Sequence, residues 1–101
     1  MKELKGSQRK YLRGLAHKLN PAAYVGQKGV SPELIQEIEI ALAASELIKI
    51  KFNEFKQKTQ KKQILDQIVS GTSAHLAGMV GHVAILYRQQ ADPEKRQITL
   101  P

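Results

Sequence analysis

A chain of 101 residues is a single domain by size, with room for one core. Apolar residues make up 42% and charged residues 25%, which argues against disorder, but 16 Lys+Arg against 9 Asp+Glu leave a net charge of +7. That excess favours polyanions, nucleic acid before an anionic membrane surface, and the lack of cysteine excludes disulfides and thiolate metal sites.

No apolar run follows the basic start Met1-Lys2-Glu3-Leu4-Lys5, and no window approaches the length of a membrane span. A cytoplasmic monomer with no membrane partner is expected. The cations are clustered. Residues 2–18 hold Lys2, Lys5, Arg9, Lys10, Arg13 and Lys18 against Glu3, and residues 49–62 hold Lys49, Lys51, Lys56, Lys58, Lys61 and Lys62 against Glu54.

The first helix is predicted to open at Gly6-Ser7 with Ser7 as N-cap and to close at Leu19-Asn20-Pro21, since the residue before proline leaves the helical region. Its apolar positions Tyr11, Leu12, Leu15, Ala16 and Leu19 recur at helical spacing. Residues 22–25, Ala-Ala-Tyr-Val, read as a short buried strand that includes Tyr24. The loop Gly26-Gln27-Lys28-Gly29 follows, and both glycines are expected to supply positive φ and close approach.

Ser31 then caps a helix from Pro32 to Ala44, buried through Leu34, Ile35, Ile38, Ala41 and Leu42. Residues 47–52 alternate strictly, so Ile48, Ile50 and Phe52 face the core while Lys49 and Lys51 face away. Strand, helix, strand implies a parallel pair. Phe55 is expected to pack over the sheet edge, and a third helix runs from Lys58 to Ser70 until Gly71-Thr72-Ser73 ends it.

Residues 74–80 and 83–88 flank a Gly81-His82 hairpin turn, with Val83–Tyr87 as a central strand. Gly78 marks a bulge or a tight packing contact. Gln89–Arg96 is a polar loop, and Ile98-Thr99-Leu100 could add a short strand. The order α-β-α-β-α-β-β is an α/β layered sandwich with a four-stranded mixed sheet. The domain is expected to fill residues 1–97, with 98–101 a short C-terminal segment.

No catalytic chemistry emerges. His17, His75 and His82 lack metal-ligand spacing, the serines sit at caps and turns, and neither a phosphate-binding nucleotide loop nor a dinucleotide fingerprint is complete. A non-enzyme without cofactor or metal is expected. The Gly26–Gly29 tetrad is different, because loop amides, the start of a capped helix and Lys28 are expected to share one space. A Gly-x-x-Gly loop of this kind suits a nucleic-acid backbone. With only five aromatics and no Lys/Arg-Gly-Phe stacking motif, readout through stacked bases is not predicted, and structured RNA held by its backbone fits better.

Longer strings carry a further signal. Residues 8–21, Gln-Arg-Lys-Tyr-Leu-Arg-Gly-Leu-Ala-His-Lys-Leu-Asn-Pro, then Val25-Gly26-Gln27-Lys28-Gly29-Val30, Glu46–Lys51, Val80–Arg88 and Ile98–Pro101 together resemble the chloroplast RNA splicing and ribosome maturation (CRM) domain. The chain is most similar to its stand-alone bacterial, YhbY-like form. The resemblance implies an RNA-binding α/β domain similar to the C-terminal domain of translation initiation factor three, associated with large-subunit ribosomal RNA during maturation. It also implies that Gly26, Gln27, Lys28 and Gly29 form the binding loop and that a helix motif falls on Leu15, Ala16 and His17. Gly78 and His82 depart from the family pattern, which usually has a larger residue and a Lys or Arg there.

The resulting expectation is a basic surface that grips folded RNA. It comprises Gly26, Gln27, Lys28 and Gly29, the strand lysines Lys49 and Lys51, and Arg9, Arg13, His17 and Lys18 from the first helix. A duplex-DNA nucleoid protein and a protein–protein adaptor on the ribosome are the rival readings.

Overall fold

The computed structural model describes residues 3–101, so Lys2 of the first basic cluster lies outside the described residues. Helix α1 (Gly6–Ala16) is capped at Lys5 and not at Ser7, because the Gln8 side chain turns back to accept the Lys5 amide at 2.9 Å. It stops short of Leu19. The freed carbonyls of His17 and Leu19 instead accept bonds from the Lys49 ammonium at 3.1 and 3.0 Å, placing a cation at the negative end of the helix dipole.

Strand β1 (Pro21–Val25) leads through the glycine tetrad to α2 (Pro32–Ser45), where Ser31 Oγ accepts the Leu34 amide at 3.1 Å, as its capping chemistry requires. Strand β2 (Leu47–Phe52) follows, then α3 (Lys58–Thr72). Helix α3 outruns its expected end at Ser70. Thr72 Oγ1 bonds the Ile68 carbonyl at 2.7 Å, and the left-handed turn falls on Ser73 (φ 59°). Strands β3 (His75–Val80) and β4 (Val83–Tyr87) close the sheet as a hairpin, with Gly81 at φ 60°. Its order is β1-β2-β4-β3; β1 and β2 run parallel and the other pairs antiparallel, the mixed sheet expected.

The sheet carries a hydrophobic cluster on each face, not one core. On the face covered by α2 and α3, Ile38, Leu42 and Ile68 of those helices pack with Val25, Ile50, Phe52 and Leu86 of the sheet. On the other face Leu12 and Ala16 of α1 pack with Leu4, Leu47, Ile85 and Tyr87. Lys49 belongs to this second face and is half-buried, whereas Lys51, one pleat further on, is exposed.

Two tyrosines correct the periodicity reading. Tyr11 has the spacing of the apolar stripe, yet it is 42% exposed, because the second cluster needs only the Leu12–Ala16 side of α1. Tyr24 is 52% exposed, because β1 is an edge strand that buries only Ala23 and Val25.

No strand forms at 98–100. The C-terminal segment is instead fastened by Glu46, whose carboxylate is fully buried and accepts the amides of Gln90 (2.8 Å), Gln97 (2.6 Å) and Ile98 (3.0 Å). Ile98 and Leu100 thereby pack against the second cluster. Between α2 and α3, Arg88 bridges the Glu39 carboxylate at 2.7 Å and the Thr72 carbonyl at 2.9 Å.

Candidate nucleic-acid interface

The Gly29 amide donates to the Gly26 carbonyl at 3.0 Å, which closes a tight turn over Gln27 and Lys28. Gly29 carries φ +63°, where a side chain is strained; Gly26 does not have a positive φ. The expectation that both glycines serve conformation is therefore corrected. A Cβ added at Gly26 would meet nothing within 4 Å, so that position contributes open space and Gly29 contributes the bend.

The turn rests on a support of its own. Val25's carbonyl accepts the amides of Asn53 and Glu54 at 3.0 and 3.2 Å, pulling the chain after β2 against the end of β1. Phe55, itself at φ +56°, places its ring edge 3.5 Å from where a Cβ of Gly29 would stand. The phenylalanine expected to cover the sheet edge thus also backs the turn.

Among the described residues, no hydrogen bond engages the amides of Gln27 and Lys28. The helix start adds less than expected. Pro32 has no N–H, and the amides of Leu34 and Ile35 are taken by Ser31 Oγ and Ser31 O. A shallow recess of about 370 Å³ beside the turn is lined by Tyr24, Gln27 and Lys28 but also by Glu33 and Glu37. An anion is therefore attracted at the turn and repelled on its α2 side.

The expected cations divide into two groups. Lys51 pairs in register with Tyr24, at the same end of the sheet as the turn. Lys56, Lys61 and His82 add to this end: the Lys61 ammonium donates to the Gly81 carbonyl at 3.0 Å. The His82 pKa is held below the ordinary value, first by partial loss of solvation and then by Lys61, Lys56 and Lys51. His82 is thus flanked by lysines from β2, the β2–α3 connection and α3.

The α1 residues stand elsewhere. Arg13 extends over Gly78 and donates to the Ala77 carbonyl at 3.3 Å, while Arg9 donates to the Leu4 carbonyl at 2.7 Å. Both Gly78 and Ala77 belong to β3, three strand spacings from β1, or roughly 14 Å. His17 and Lys18 are exposed at the end of α1. The turn and Lys51 are therefore brought together; Arg9, Arg13 and Lys49 are engaged by main-chain carbonyls.

Among the described residues no cluster of three or more His, Asp and Glu could hold a metal ion, and no helix is long and apolar enough to cross a membrane.

The fold and this end of it define a small α/β domain with a Gly-x-x-Gly turn at a strand-to-helix junction, with lysines on its sheet side and carboxylates on its α2 side. Residues 4–88 match the CRS1 / YhbY (CRM) domain, and the chain belongs to that family. It is 39% identical over 101 residues to an RNA-binding protein of Haemophilus influenzae, covering all of this chain and 98% of that one. It is 35% identical over 98 residues to YqeI of Bacillus subtilis, named a probable RNA-binding protein, covering 97% and 99% of the two chains. A solution structure from Staphylococcus aureus, of a hypothetical protein suggested to bind RNA, superposes with a TM-score of 0.80 at 28% identity and covers 97% of this chain and 99% of its own.

Proposed function

We propose that this protein binds RNA, gripping a folded transcript by its backbone, with large-subunit ribosomal RNA during ribosome maturation as the target. The observation that carries the reading is the Gly26–Gly29 turn itself: two unengaged amides and the Lys28 ammonium face solvent, with open space at Gly26. Family membership and the names of the relatives support RNA over other polyanions. In this reading Gln27 and Lys28 hold one phosphate group, and Lys51, Lys56 and Lys61 neutralise others along the sheet end. His17 and Lys18 flank the path. Arg9, Arg13 and Lys49 chiefly hold α1 and contribute through their field. No chemical step is part of the proposal.

About five neutralised phosphates predict a log–log salt slope of roughly −3.5 to −4.5 for binding to a ribosomal RNA fragment. Lys28→Ala should lower affinity evenly across RNA sequences, since a phosphate contact reads no base. An affinity that barely responds to salt, or duplex DNA competing equally at matched ionic strength, would overturn the reading.

A further inference from the structure

On the α1 face of the sheet, register aligns side chains in rows that cross the strands. The row Gly78–Ile85–Lys49 is roofed: Arg13 crosses Gly78, Ile85 is buried, and Lys49 is bonded to the end of α1. Two residues further along these strands, pairing sets Val80 beside Val83, Val83 beside Lys51 and Lys51 beside Tyr24. No helix covers this row among the described residues. Tyr24 is 52% and Val80 63% exposed, Lys51 is exposed and Val83 is half-buried.

An aromatic ring, a cation and two aliphatic groups in one line are a poor surface to leave in water unless something docks there. Charge selects the occupant, because Lys51 stands within the row, Lys28 lies in the turn that follows Tyr24, and Lys61 reaches the Gly81 carbonyl at the hairpin end of the row. Position selects further. Tyr24 is two residues before Gly26, so a strand held at the turn meets its ring next. Glu33 and Glu37 close the alternative path toward α2 to phosphate.

We propose that this row is a platform for an unpaired nucleotide, whose base stacks on Tyr24 while Lys51 takes its phosphate and Val83 and Val80 support the adjoining ribose or base. The inference rests on the RNA-binding reading and narrows its substrate class. A duplex keeps its base faces inside its own stack, so the platform serves RNA in which an unpaired nucleotide, in a loop, bulge or junction, adjoins a helix.

The test compares a synthetic hairpin RNA carrying an unpaired loop with a blunt RNA duplex of equal phosphate number. Tyr24→Ala should weaken hairpin binding roughly five- to hundredfold and leave duplex binding unchanged, while Tyr24→Phe retains both. Tyr24→Trp, in a chain without tryptophan, should be quenched by the hairpin and not by the duplex. Exposure of the ring means that these variants keep the wild-type melting temperature. If wild-type protein binds RNA but Tyr24→Ala binds the hairpin equally well, the platform is wrong and the backbone clamp stands. If wild-type protein binds neither RNA, both proposals fail.

Discussion

The aliphatic stem of Arg13 lies across the bare backbone of Gly78, so that a methyl group there would stand 2.5 Å from Arg13 Cδ. Helix α1 is seated on β3 through this contact and through the guanidinium bond to Ala77. The strand shifts register between Leu76 and Gly78, so the glycine marks a bulge and a close approach together. Gly78→Ala should displace Arg13 and cost about 1 kcal/mol, a few degrees in melting temperature. In an Arg13→Ala background the same change should become neutral or slightly stabilising, because alanine suits a strand better than glycine. A thermal double-mutant cycle measures the coupling, and additive effects would refute it.

The two glycines of the tetrad should separate in the same kind of measurement. Gly29→Ala forces a side chain into φ +63° and should cost about 1–2 kcal/mol of stability. Gly26→Ala meets open space and should change stability by no more than about 0.5 kcal/mol. Gly26 is therefore the clean probe of function: Gly26→Val should leave a folded protein whose RNA affinity falls. Equal destabilisation by the two alanine variants would mean that the turn is not the one described.

Much of this architecture was legible from local chemistry. The Ser31 cap, the Pro32 start, the parallel β1–β2 pair, the Gly81-His82 hairpin and the double meaning of Gly78 each follow from residues close in sequence. What was not legible is which faces are covered. Tyr24 alternates with Ala23 and Val25 as it would in a buried strand, and only the sheet order places it on an edge. Lys49 and Lys51 are equivalent by period, yet α1 ends over one and not the other. The glycine tetrad was visible in the sequence, whereas the approach of Lys61 to the hairpin depended on the packing of α3.

Glu46 is the clearest case of a residue without local signal, since the amides that it holds lie 44 to 52 positions away. It sits at φ +60° with its carboxylate fully buried, a strained backbone kept in place by the bonds it makes. Glu46→Ala leaves three amides without acceptors. Release of the tail to water limits the damage, so a loss of about 2–4 kcal/mol is expected. Hydrogen exchange should accelerate at Gln90, Gln97 and Ile98, and Glu46→Gln, with one carbonyl oxygen left to accept, should fall between. Unchanged protection at those amides in Glu46→Ala would show that packing of Ile98 and Leu100 alone fixes the tail.

His82 should make RNA affinity depend on pH, with a definite sign. In the free protein lost solvation, joined by Lys61 of α3, Lys56 of the connection and Lys51 of β2, holds its pKa below the ordinary histidine value, so the imidazole is mostly neutral at neutral pH. A phosphate docked among these lysines supplies the opposite charge and raises that pKa. The bound state therefore takes up a proton that the free state refuses. Affinity should rise as pH falls through the bound-state pKa and level off below the free-state pKa, by at most tenfold for each unit that RNA raises it. Binding measured from about pH 8 to about pH 5.5 should show the rise in wild type and a clearly smaller one in His82→Gln. The salt slope should steepen by about 0.9 at the acid end, as one more cation meets phosphate. Should His82→Gln keep the wild-type profile, the proton belongs to His17 or His75 and RNA does not reach the hairpin.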